Sequence, residues 1–108
     1  MDWGLIAIFF GGAFLANGVP HFVEGISGRA FQSPFAKPPG KGYSSSTVNL
    51  LWGLVNLIAG YALLVHVTEF AIGEWSHVLV ALAGATVMGL MLAKAFGDIH
   101  GGARPEDK

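Results

Sequence analysis

Three apolar stretches of about 20 residues each, at about 3–19, 48–67 and 76–97, leave this chain little choice of fold. At 1.5 Å rise per residue each comes close to the ~30 Å hydrocarbon thickness of a bilayer. A backbone in lipid must satisfy its own hydrogen bonds, so each stretch is expected to be a helix. Composition agrees: 53% of the 108 residues are hydrophobic and only 12% are charged, whereas a soluble domain is about a quarter charged. Mean hydropathy is +0.57. The expected fold class is therefore all-α, a single integral membrane three-helix bundle over 1–108, with a long first loop at 20–47 and a polar tail at 98–108. A secretory signal peptide would carry Lys or Arg before its apolar core. Met1-Asp2-Trp3 carries neither, and the first stretch is read as a span.

Charge sets the expected orientation. All six basic residues lie on one side: Arg29, Lys37 and Lys41 in the first connection, Lys94 near the end of the third stretch, and Arg104 and Lys108 in the tail. Asp2, Glu69 and Glu74 lie on the other side with no basic group. By the positive-inside rule the first loop and the C-terminus are cytoplasmic and the N-terminus is outside. So strong a bias argues against dual topology. Lys94, about one turn inside its stretch, is expected to snorkel. Trp3, Phe70 and Trp75 should anchor the outer interface, and Tyr43 and Trp52 the inner one. There is no basic patch for nucleic acid, and zero cysteines exclude disulfides, thiolate metal sites and thiol nucleophiles. No nucleophile, base and orienter recur together, so hydrolase chemistry is unsupported.

Small and polar residues within the stretches point to helix packing. Ala81, Ala85, Gly89 and Ala93 are four apart in the third stretch, Gly53 and Gly60 flank Asn56 in the second, and Ala7, Gly11 and Gly18 share a face of the first. Lipid offers no hydrophobic drive between helices, so small faces hold them by close backbone approach. Depth within each stretch suggests two interhelical pairs, Asn56 with Thr86 and Asn17 with Asn49. The same small faces would serve packing within the chain or association with a neighbour. A transport site at Asn56 would require it to face water or a symmetry axis, and intramembrane ionisable groups that mark ion paths are missing.

Two cytoplasmic clusters are candidate sites. His21, Glu24, Asp98 and His100 fall in one layer and combine ligand types suited to zinc, iron or manganese, or to a proton relay. A haem held between His21 and His100, or between His66 and His77 on the outer side, is a further possibility on spacing alone. Arg29, Lys37, Lys41, Ser44, Ser45, Ser46 and Thr47 gather before the N-terminus of the second helix, where the dipole and free N–H groups attract anions such as lipid headgroups. One of the hydroxyl run should N-cap that helix. Pro39-Gly40 suits the centre of a type II turn, and His21 to Ile26 has the mixed polarity of a short interfacial helix. Pro39-Gly40-Lys41-Gly42 lacks the spacing of a nucleotide loop.

Asn17-Gly18-Val19-Pro20-His21-Phe22, a Pro-rich loop and the helix from Trp52-Gly53 to Leu64 together resemble the DoxX-like group of small bacterial membrane proteins, over about the first 65 residues. That group often has Gly-x-x-His-Phe here, matched by Gly18, His21 and Phe22, and some members are accessory subunits of quinol-oxidising complexes. It usually has four spans, against three expected here. The function expected is that of a bacterial-type inner-membrane protein acting by helix association, as a homo-oligomer or an accessory subunit. A small-solute or ion transporter is the alternative, and a His-dependent metal, haem or quinone protein the third reading.

Overall fold

The computed structural model describes residues 2–107 and consists of three long helices and a small hairpin. Helix α1 covers Trp3–Ile26, strands β1 and β2 cover Phe31–Gln32 and Tyr43–Ser44, α2 covers Ser46–Ala62, and α3 covers Trp75–His100. A π-helical turn at Leu63–Val67 prolongs α2, and a 3-10 turn at Pro105–Asp107 ends the chain. All three helices are long and apolar enough to cross a membrane. Lys108, the last of the basic residues counted above, lies outside the described residues.

The first helix overruns its expected end at Val19 by seven residues. Pro20 sits inside it. Proline removes one backbone donor, the bond that would reach the Ala16 carbonyl, but the helix on either side continues because neighbouring helices hold it. His21 to Ile26 is thus the last part of α1 rather than a separate interfacial helix. The true stop is Gly28, whose φ of +76° lets Arg29 N–H donate to Glu24 O at 3.0 Å and Gly28 N–H to Gly25 O at 3.1 Å. This pair of bonds closes a Schellman motif, for which glycine is the favoured residue. At the other end the Asp2 carboxylate accepts from the N–H groups of Gly4 and Leu5.

Helix α1 lies between α2 and α3, which barely touch one another. Its two faces are cut by glycine. Gly11, Gly18 and Gly25, seven apart, meet α2, where Gly53 and Gly60 answer them; an added Cβ at Gly53 would lie 2.5 Å from Phe22 N, and one at Gly25 2.4 Å from Leu50 N. Gly12 and Gly84 bring α1 and α3 together, with an added Cβ falling 2.1 Å from Ala81 O and 1.8 Å from Phe9 O respectively. The expected face Asn49, Gly53, Asn56 and Gly60 is the buried face of α2.

The expected seam on α3 is not its packing face. Gly84 is the buried residue of this helix, while Ala93 and Thr86 are exposed and an added Cβ at Gly89 would meet nothing within 4 Å. A row spaced by four drifts about 40° per step on a helix of 3.6 residues per turn, so from Ala81 to Ala93 it turns by about 120°. Ala81 and Ala85 stay near α1, and the rest of the row rotates outward.

Substituting Gly84 by alanine should therefore drive Cβ into the Phe9 carbonyl and lower the thermal stability of the detergent-solubilised protein by the equivalent of about 1–3 kcal/mol. Gly73→Ala, with open space around it and outside the helices, should leave the unfolding transition where it is. Circular dichroism melts of the two variants make the comparison.

Candidate functional site

The 28-residue first connection expected from the sequence shortens, between α1 and the Ser45 cap, to a strap that folds back onto the ends of all three helices. Phe31 pairs with Ser44 and Gln32 with Tyr43 in the antiparallel hairpin. The tip turns at Pro38 to Lys41, where Lys41 N–H donates to Pro38 O at 3.1 Å and Gly40 has φ +75°. This is the type II turn expected at Pro39-Gly40. Ser45 is the N-cap of α2, its hydroxyl accepting from Val48 N–H at 3.1 Å.

Asn49 is the knot of this region and is fully buried. Its Nδ2 lies 2.9 Å from Phe31 O, 3.1 Å from Ser45 O and 3.3 Å from Ser44 O, so it donates into the hairpin and the helix cap. Its Oδ1 must then accept, and the partner at 2.8 Å is His21 Nδ1. This assigns the His21 proton to Nδ1 and leaves Nε2 as the lone-pair nitrogen of the neutral ring. Gln32, also fully buried, carries the network to α3: its Oε1 is 2.9 Å from His100 Nε2, and its Nε2 donates to Lys41 O at 3.4 Å. Ser33 and Ser44 share a hydroxyl bond at 2.6 Å.

Aromatic rings complete the junction. The Phe31 ring centroid is 5.6 Å from that of His21 and 5.4 Å from that of His100, and Phe96 is 6.1 Å and 6.2 Å from the same two imidazoles. Two phenyl rings thus contact both imidazoles and take the space that a haem between His21 and His100 would need. The four-residue metal or proton set does not assemble either. Glu24 pairs with Arg29, Asp98 pairs with Lys94 at 2.8 Å, and no group of three His, Asp or Glu ligands converges among the described residues. The i+4 spacing of Lys94 and Asp98 and the five-residue reach of Arg29 to Glu24 supply each carboxylate with a nearer partner. On the opposite end His77 Nδ1 accepts from Ala71 N–H of the short connection at 2.9 Å, and His66 packs on Tyr61 within its own helical run.

Of the hydroxyl and cation cluster, part is engaged within the chain and part is left exposed. Arg29 is held by Glu24, Ser44 by Ser33 and Ser45 by its cap, while Lys37, Lys41 and Thr47 are exposed and Ser46 is half-buried. The interhelical pairs shift by one partner: Asn17 Nδ2 donates to Asn56 Oδ1 at 2.9 Å, and His21 rather than Asn17 takes Asn49. Ending α1 at Val19 places its midpoint near residue 11, and ending it at Ile26 moves the midpoint to between 14 and 15. Asn17 is thereby brought level with Asn56, and Thr86 is left exposed.

Because α2 and α3 are apart, a cleft runs between them over α1. An outer chamber of about 390 Å³ has Phe9, Phe14, Met88 and Met91 in its walls, and an inner chamber of about 210 Å³ reaches His21, Gln32 and Ser33; Asn17 and Trp52 line both. Gln32, Ser33, Phe31 and Phe96 were not among the residues expected to form a site. The available signal was Phe31, Phe35 and Ala36 in a polar loop, apolar groups that need cover.

Compared with known proteins, the chain matches no family model, no curated protein and no solved structure.

Asn49→Ala would strand the His21 donor and the Phe31 carbonyl, each buried loss costing about 1–3 kcal/mol. Hydrogen exchange and limited proteolysis over residues 27–45 should both accelerate strongly. Ser45→Ala, which removes only the cap, should destabilise by about 1 kcal/mol and leave the strap protected.

Proposed function

We propose that the protein is a multi-pass protein of a bacterial-type inner membrane that works by lateral association, as a homo-oligomer or as an accessory subunit of a larger membrane complex. The observation that supports this most is α3. Only 6% of its apolar window is buried within the chain, against 39% for α1. Leu79, Leu82 and Leu90 are exposed, and Gly89 beside them leaves room for a close helix contact. The DoxX-like motif at Gly18, His21 and Phe22 adds weight to the accessory-subunit form, including one serving a respiratory complex. In this reading α1 holds the fold and α3 is offered to a neighbour.

The transporter reading has less support. Asn56 is 1% exposed, its Oδ1 accepts from Asn17 and its Nδ2 donates to Trp52 O at 2.8 Å. Both ends of the amide are spent inside the chain. A metal or haem role is likewise weakened by the partners that Glu24, Asp98 and the imidazoles already have.

Light scattering of the protein purified in mild detergent tests the association. A multimer, or a stoichiometric complex with a partner, is expected, and Gly89→Trp should dissociate it; a wild-type monomer without partner would sink the proposal. Orientation is checked separately with single cysteines, since the chain has none of its own. A cysteine at Gly73 should react with an impermeant maleimide in intact cells, whereas one at Lys37 should react only after permeabilisation, as the positive-inside rule requires.

A further inference from the structure

The cleft between α2 and α3 has the form of a ligand site, and it is independent of the association just proposed. Its outer chamber of about 390 Å³ falls within the ~300–1,000 Å³ common for small-molecule sites. Phe10, Phe14 and Met91 at its walls are partly exposed on the outer surface of the bundle, so the chamber opens sideways. Its lining is almost wholly apolar, and its two methionines give walls that adapt to shape. The inner chamber is lined by His21, Gln32 and Ser33 and is the polar end.

The waist between them carries the unmade hydrogen bonds. The Trp52 indole N–H is buried without a partner, the one such side-chain atom among the described residues. Indole is a donor only, so what it lacks is an acceptor. An unpaired buried donor costs stability and calls for an explanation. Across the waist Asn17 gives Nδ2 to Asn56, while its Oδ1 accepts no hydrogen bond among the described residues. The two side chains that carry this donor and this acceptor line both the apolar and the polar chamber. The indole N–H is covered, so an incoming oxygen reaches it through a shift of side chains at the waist.

We propose that this cleft binds an amphipathic acyl lipid drawn from the bilayer, its chain in the outer chamber and its carbonyl oxygen at the Asn17–Trp52 waist. The carbonyl accepts from Trp52, and in a free fatty acid the hydroxyl of the protonated carboxyl also donates to Asn17, a bond that an ester-linked chain does not make. Head groups of modest size extend toward His21 and Ser33. Such a molecule comes either from free fatty acid or from the ester-linked chains of a phospholipid.

The protein has three tryptophans, so its indole N–H groups give three resonances in a nitrogen-15 correlation spectrum. In an alkyl maltoside micelle, which offers no carbonyl, oleic acid and dioleoylphosphatidylcholine are titrated in separate samples, with Trp52→Phe identifying the resonance. The Trp52 signal should move downfield and saturate, while those of Trp3 and Trp75, both well exposed, should only drift with lipid content without saturating. Saturation by oleic acid identifies a free acid as occupant, and saturation by the phospholipid alone identifies a bilayer chain. Val87→Phe narrows the outer chamber and should weaken the response about tenfold, as overfilling a cleft does. Leu79→Phe, equally apolar and outside the cleft, should not. The proposal is overturned if the Trp52 signal is unmoved by both lipids, or if it drifts without saturating and Val87→Phe titrates like Leu79→Phe.

Discussion

Close backbone contact along the glycine faces of α1 is the interaction on which the rest of this structure depends. The three helices are long and apolar enough to cross a membrane, and helices of that kind cohere there by fit and by polar contacts rather than by a hydrophobic drive. Gly11, Gly18 and Gly25 on one face of α1 and Gly12 on another permit that fit twice, against α2 and against α3. Both contacts use the same helix. The outer two helices therefore take their positions from α1 and not from each other, and the gap left between them is the cleft.

The polar groups follow from that geometry. With α1 and α2 close, Asn17 reaches Asn56, and one level nearer the strap His21 reaches Asn49. Each bond of this kind is modest, about 0.6 kcal/mol on average in a membrane protein. Their value lies in register. Asn49 binds to both α1 and the hairpin, so a slip of either helix by one residue would strand several buried groups together. Gln32 extends the same logic to α3.

Much of this was legible in the sequence, for reasons that can be named. Length and apolar content identify three helices, each long and apolar enough to cross a membrane. The buried face of α2 was readable because Asn49, Gly53, Asn56 and Gly60 recur at helical spacing. The Ser45 cap and the turn at Pro39-Gly40 are local chemistry and needed no tertiary information. At Pro20 the sequence points to a helix end that α1 does not have, since a proline that would stop an isolated helix is tolerated where neighbours support the chain. That one boundary displaced the depth of Asn17 and His21 and so their partners. How the strap docks could not be read, because Gln32 and His100 are separated by 68 residues and only the assembled helix ends bring them together. Glu24 and Asp98 are a different case: Arg29 and Lys94, five and four residues away, hold them in local pairs that sequence spacing alone makes legible.

The strap also gives the molecule an order of completion. Its contacts need α1 for His21, α2 for Asn49 and α3 for Phe96 and His100, so it can close only once all three helices stand in register. Contacts between elements so distant in sequence carry the largest loop-closure cost and form late. A lesion anywhere in the glycine faces is then felt at one place, as an open strap that leaves the backbone of residues 27–45 unprotected. The hairpin acts as a seal on the finished bundle, and a chain that failed to assemble would be marked by its exposed loop.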